Sequence, residues 1–458
     1  MPRVRLSNRV TSAEESTGRI VVGSSVLRKS ELHSSVSDPV LDTMNFLNEV
    51  TLRYPEAISF APGRPYDGFF ETEEVLTHLR RYLDHLAERG ASPEQVRTAV
   101  YQYGPTAGQI REIIADSLRR DEGIDVRPES IVVTVGAQEA MMLAVRALIR
   151  DPDDVLLVSS PCYVGITGIA RLLDVTLCPV PESAAGFSLS ILEAAIRDQR
   201  AAGRRPRAFY LVPDHANPSG STLSLADRAA LLDLAAREDL LILEDSPYRL
   251  VSPGAPVPTL KALDRHRAVV HLGSYSKTLF PGARVGFAVA DQTVVGDDGR
   301  TGLLADELSK IKSMVTVNTS SLSQAVVAGA LLAAGGRVSE LNAKAAGHYG
   351  DAMRWVLDRL ADRLPPQRRA ELGVRWNEPT GGFFLGVTVG FEADEAALTR
   401  SAEEYGVIWT PMRYFHPDDG GRRAIRLSVS YLSPEEIDEG ITRLVAFIDA
   451  ETRREAHA

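Results

Sequence analysis

The chain has 458 residues, 44% hydrophobic and 24% charged, with a formal net charge of −10. That is too long for one minimal domain, apolar enough for a large core, and too acidic for a general nucleic-acid binder. Two cysteines, Cys162 and Cys178, make neither a disulfide framework nor a metal-ligand pattern; a cytoplasmic protein without a metal is expected.

Residues 1–38 are polar and serine-rich, with no apolar core of a signal sequence, and are expected to form an N-terminal arm. No run approaches the roughly 20 apolar residues of a membrane span, so no membrane partner is expected. From about residue 100, short apolar runs alternate with helical spacing. The β-branched run 131–135 ends in Gly136, and helical spacing follows over 138–150. The run 155–158 ends at Ser160-Pro161, 208–212 at Pro213-Asp214, 240–243 at Glu244-Asp245 and 269–272 at Gly273-Ser274. Ser224 is a suitable cap for a helix reaching about residue 238. Apolar strands separated by amphipathic helices predict an α/β layer with a mainly parallel sheet. Its ligand belongs beyond the carboxyl ends of the strands, where the small and polar residues lie.

After residue 305 the spacing predicts a long helical region to about 362, with a buried Ala-rich part over 321–334. An α+β pattern follows: a strand over 381–387, a helix near 393–405, a strand over 424–430 and a final helix from Ser433. The expected division is an arm over 1–38, a large domain over 75–319, and a smaller α+β domain built from 39–74 and 320–458. The charged tail, 451–458, is expected to fray.

Lys277 follows a strand and a serine-rich turn and precedes Pro281-Gly282. A lysine that forms an imine must be held beside its carbonyl partner. The hydroxyls of Ser274 and Ser276 and the planar guanidinium of Arg284 suit a phosphate. Ser-x-Ser-Lys alone reads more readily as a solvated loop before a helix. The full string, Ser274-x-Ser276-Lys277-x-x-x-Pro281-Gly282-x-Arg284-x-Gly286, is far more specific. It resembles the lysine signature of class I/II aminotransferases, fold-type I pyridoxal 5'-phosphate enzymes. The resemblance implies that Lys277 carries the cofactor and that Ser274, Ser276 and Arg284 bind its phosphate.

The same resemblance extends through the other strand ends. Asp245-Ser246-Pro247-Tyr248 is similar to the family's Asp-x-x-Tyr, which implies that Asp245 pairs with the ring nitrogen and Tyr248 with the phenolic oxygen. Asn217, in Asn217-Pro218-Ser219-Gly220, would donate to that oxygen too. Gly136-Ala137-Gln138 resembles the turn whose backbone binds phosphate, and Tyr163 the aromatic that stacks on the cofactor ring. Tyr103 would reach the phosphate of a neighbouring subunit, which implies a homodimer with a shared active site. Arg426, in an apolar strand, would clamp the substrate α-carboxylate in a bidentate fork, a geometry that calls for arginine. Gly63, in Ala61-Pro62-Gly63-Arg64-Pro65, falls on the substrate side, as in the branch with aminoadipate and kynurenine aminotransferases.

The resemblance covers about residues 58–444 and implies amino transfer from an α-amino acid to a 2-oxo acid. Three positions depart from the family's pattern: Arg423 where Asn is common, Ala216 where Gln is common, and the loop 412–416, which lacks a small Pro-Gly turn. Arg64, Arg413 and Arg423 are therefore expected to add charge on the substrate side. Elimination, replacement, C–C or oxidative chemistry at the same cofactor is the alternative. A transcription regulator built on this fold is a third reading; the roughly 40 preceding residues are too few for a winged-helix domain and are not basic.

Overall fold

The computed structural model describes residues 27–182 and 186–457. Most of the expected arm lies outside the described residues. Its end forms two 3-10 turns, Lys29–Glu31 and Ser34–Ser37. Helix Pro39–Arg53 then begins where the Asp38 carboxylate accepts the Val40 N–H at 2.9 Å.

Seven strands make the large sheet: β1 (Ile131–Thr134), β2 (Asp154–Ser160), β3 (Thr176–Pro181), β4 (Arg205–Leu211), β5 (Leu241–Asp245), β6 (Val269–Ser274) and β7 (Gly286–Val289). Their spatial order is β1-β7-β6-β5-β4-β2-β3. Strands β2 to β6 are mutually parallel where they pair, whereas β7 runs antiparallel to both β6 and β1. Both faces are covered. Leu156, Val158 and Leu243 point into one apolar cluster, and their chain neighbours Leu157 and Ile242 into another. This is why these strands read as unbroken apolar runs.

The smaller sheet is antiparallel: β8 (Arg375–Trp376), β9 (Phe384–Thr388), β10 (Thr410–Pro411) and β11 (Ala424–Ser428), in the order β8-β9-β11-β10. Ile58–Ser59 pairs in parallel with Val407–Ile408, which ties an early segment to the end of the chain. Phe60, Val387, Trp409, Leu427 and Phe447 share one core there.

The expected helical region is broken into Leu304–Val315, Ser321–Ala333, Val338–Leu341 and Ala343–Arg363, with left-handed backbone at Val317, Gly335 and Gly336 in the breaks. Helix Ser321–Ala333 packs with Thr72–Glu88 over β1 and β7. At their crossing a Cβ on Gly329 would collide with the His78 carbonyl. The charged tail does not fray: helix Pro434–Ala456 carries buried Glu451, which pairs with Arg400 at 3.1 Å. Among the described residues no helix is long and apolar enough to cross a membrane, and no cluster of side chains could hold a metal.

Candidate active site

The carboxyl ends of β5 and β6 open into a cavity of about 480 Å³, lined from the smaller sheet by Arg426 and from the turn Met412–Phe415 by Phe415. Gly63, Ala137, Gln138, Tyr163, Asn217, Asp245, Tyr248, Ser274, Ser276, Lys277, Arg284 and Arg426 all line it. Gly136 lies just behind that surface.

Lys277 is half-buried, and its Nζ donates to the Gly63 carbonyl at 2.6 Å. Burial first, then the nearby charges of Arg284 and Arg426, pull its pKa down to about 8. Beside it, the Ser274 hydroxyl accepts the Ser276 N–H at 3.2 Å, and Arg284 Nη1 donates to the Ser276 hydroxyl at 2.9 Å. Arg284 has left-handed backbone (φ +50°), which turns its guanidinium back toward the head of helix Gly136–Leu148. There Gly136 has φ +73°, and a Cβ would collide with that guanidinium. Two hydroxyls, a guanidinium and the free N–H groups of a helix N-terminus thus converge, a set that could hold a phosphate.

Asp245 ends β5. Tyr210 donates to its Oδ2 at 2.7 Å, while its Oδ1 is buried without a partner. Burial raises the Asp245 pKa to about 6, against the Tyr210 hydrogen bond and the His271 charge. A buried carboxylate with one open oxygen calls for a donor, and a protonated ring nitrogen would supply one. Tyr163 also lines the cavity, and burial lifts its hydroxyl to about 12. Tyr248 packs edge-on against Phe383 and Phe384; burial raises its hydroxyl, and a hydrogen bond from Asn217 opposes this.

Arg426 is 3% exposed. Nη1 donates to Asn217 Oδ1 at 2.7 Å, and Nη2 to the Ala61 carbonyl at 2.6 Å and the Thr410 hydroxyl at 3.2 Å. The guanidinium lies over Phe384 and Phe415, and Nε has no partner. Burial lowers its pKa to about 10. A desolvated cation with an open donor edge suits a carboxylate.

Three of the residues singled out from the sequence lie outside this cavity, Tyr103 having been expected at a neighbouring subunit's phosphate. Tyr103 is 82% exposed and outside the cavity of its own chain. Arg413 turns to Glu395 at 3.6 Å and lines a separate cavity of about 580 Å³ beside helix Pro39–Arg53. Arg423 donates to the Gly390 carbonyl and pairs with Glu455. Of the three arginines expected to add charge on the substrate side only Arg64 lines the site, stacked 3.8 Å from the Tyr431 ring centre. Sequence reasoning missed Tyr210, whose only signal was an aromatic hydroxyl in a buried strand, and the pair Phe384 and Phe415 around Arg426. Cys162 is buried and holds the Phe415 carbonyl through its N–H at 2.8 Å.

A mixed sheet with its lysine at the strand ends, facing a small antiparallel sheet, is the architecture of the fold-type I aminotransferases. The chain belongs to the family described as aminotransferase class I and II, whose profile matches residues 74–444. It is 44% identical to the (S)-3,5-dihydroxyphenylglycine transaminase of Amycolatopsis orientalis, over 94% of this chain and 96% of that one. It is 31% identical to the 2-aminoadipate transaminase of Thermus thermophilus, over 88% and 92%. The solved α-aminoadipate aminotransferase of Thermus thermophilus superposes with a TM-score of 0.75 at 28% identity, covering 93% of this chain and all of that one. The kynurenine aminotransferase of Pyrococcus horikoshii, solved in complex with PMP, gives 0.73 at 27% identity, over 90% and 95%. The protein is an aminotransferase that moves an amino group from an α-amino acid to a 2-oxo acid, and its family implies pyridoxal phosphate.

Proposed function

We propose that Lys277 carries pyridoxal phosphate and that the enzyme transaminates an α-amino acid with an aryl side chain. The carrying observation is one cavity holding a depressed lysine, a half-satisfied aspartate and a half-satisfied arginine. The aryl class rests on the 44% identity to the dihydroxyphenylglycine transaminase.

In this reading Arg284, Ser274, Ser276 and the N–H groups of Gly136, Ala137 and Gln138 hold the phosphate. Tyr163 covers the ring. Asp245 keeps a proton on the ring nitrogen, and Asn217 and Tyr248 donate to the phenolic oxygen. The bound cofactor supplies a sink for the electron pair left at the substrate Cα. Arg426 clamps the α-carboxylate, and Gly63 flanks it. Lys277, with a pKa near 8, has a substantial neutral share at physiological pH and moves the proton at Cα.

A homodimer belongs to this proposal. Tyr101, Tyr103, Met314, Val317 and Leu322 are exposed, and the Ser321 hydroxyl joins their two segments by donating to the Gln102 carbonyl at 3.2 Å. An exposed apolar patch of this kind suits a second copy, which would bring Tyr103 to the neighbouring cavity. Two buried free cysteines agree with a cytoplasmic setting.

Borohydride reduction followed by peptide mapping tests the cofactor reading, with Lys277 the expected site of attachment; attachment elsewhere, or none, sinks it. A donor panel that includes arylglycines, read by cofactor absorbance, tests the substrate class. Conversion by aliphatic or acidic donors only would remove the aryl assignment.

A further inference from the structure

Behind the Gly136 turn lies a buried ionic network that the roles above leave unused. Glu139 reaches back from its helix and accepts the Val135 N–H at 2.6 Å. Lys312, fully buried, donates to the same carboxylate oxygen at 2.7 Å and to the Thr316 hydroxyl at 2.8 Å. Thr316 donates to the other Glu139 oxygen at 2.6 Å. The Thr134 hydroxyl holds the Gly136 carbonyl at 2.9 Å, and the Thr319 hydroxyl holds the Val133 carbonyl at 3.0 Å. The backbone leading into the turn is therefore gripped from the side away from the cavity, while its front meets the Arg284 guanidinium.

This arrangement has a physical logic. Helices usually fix their first turn with a Ser, Thr, Asp or Asn cap, whose oxygen takes the N–H of the second or third residue. Here the cap position is Val135, which provides no such bond. The N–H groups of Ala137 and Gln138 stay open for an anion, and the task of fixing the turn passes to Glu139. A carboxylate so close to an anion-holding turn would repel its ligand; Lys312 neutralises it.

We propose that Glu139 and Lys312 are positioning residues, which hold the Gly136 turn where Arg284 and Ser276 require it to bind the cofactor phosphate. This rests on reading that turn as the phosphate site. The pair works through the turn and does not touch the phosphate.

The test measures release of pyridoxal phosphate from the holoenzyme in E139Q, K312M, the double variant E139Q/K312M, and T316V. Each single variant of the ion pair should release it ~10-fold faster, and the charge-balanced double variant should recover part of the loss. T316V should give a ~3-fold effect. The same enzymes reconstituted with pyridoxal, which lacks the phosphate, should match the wild type within about twofold. Unchanged release of pyridoxal phosphate by folded variants would overturn the proposal, as would equal losses of both vitamers. If the ion-pair variants do not fold, T316V decides by the same two readouts. A wild-type enzyme with no cofactor on Lys277 would instead fail the underlying reading of the site.

Discussion

Glu244 and Asp245 are consecutive residues at the end of β5, both buried, on opposite faces of the sheet. Glu244 faces away from the cavity. It accepts the Leu260 N–H at 2.7 Å, the Lys261 N–H at 3.0 Å and a hydrogen bond from His271 at 2.9 Å. Burial works against its ionised form, but the His271 hydrogen bond and charge and the two backbone bonds outweigh it, so its pKa falls. Asp245 faces the cavity with one partner and one open oxygen, and its pKa rises. Two carboxylates one residue apart have thus been given opposite environments. The satisfied one holds the scaffold; the half-satisfied one is the group proposed to meet the cofactor.

The largest expected effect tests that division directly. Asp245→Asn keeps the shape and removes the charge, so transamination should fall by on the order of 10³-fold while the melting temperature stays at or above the wild-type value. Glu244→Gln should do the reverse. It leaves the buried network uncompensated and should cost about 3 kcal/mol in urea unfolding, with turnover per folded molecule within a few-fold of wild type. Equal losses of activity in the two variants would erase the distinction between the faces.

The pH dependence sharpens it. Asp245 has a folded pKa raised from 3.8 to about 6, so its neutral form is favoured in the fold. Its contribution is fully present below about pH 4 and is lost as pH rises through 6. The cofactor-free protein should therefore lose roughly 2–3 kcal/mol relative to Asp245→Asn between pH 4 and pH 6, with no further divergence above. Glu244, with a lowered pKa, contributes the opposite sign: stability present above its ordinary value and lost as pH falls through the folded one. Urea titrations at several pH values read both. A constant gap between wild type and Asp245→Asn would show that Asp245 is not held neutral.

Sequence spacing was enough for most of the parallel strands, Thr176–Pro181 going unread, and the resemblance to the family, not spacing, pointed to most of the residues that line the cavity. Antiparallel β7 could not be read so: Gly286–Val289 is too short to declare a direction. The three helices between residues 39 and 101 also went unread. They bury few side chains and pack mainly on other helices rather than on the sheets. Arg413 and Arg423 were assigned by charge alone, yet Glu395 and Glu455, distant in sequence, take them. In the proposed homodimer the exposed Tyr103 would face the cavity of a second chain. The tail became ordered through Arg400 and Glu451, a pairing 51 residues apart that no local pattern announces.

Tyr210 gives the smallest and most discriminating prediction. It was missed because a buried strand tyrosine ordinarily serves packing, yet among the described residues its hydroxyl is the one hydrogen-bond partner of the Asp245 carboxylate. Tyr210→Phe leaves the ring in place and removes one hydrogen bond to a charged group, which should cost about 1–2 kcal/mol in the ionised state. The Asp245 pKa should move further up, and kcat/KM should drop by roughly tenfold, with the loss greater at pH 6 than at pH 8. A pH-independent loss would mean that Tyr210 acts through packing alone and that its hydrogen bond does not hold the Asp245 pKa down against burial.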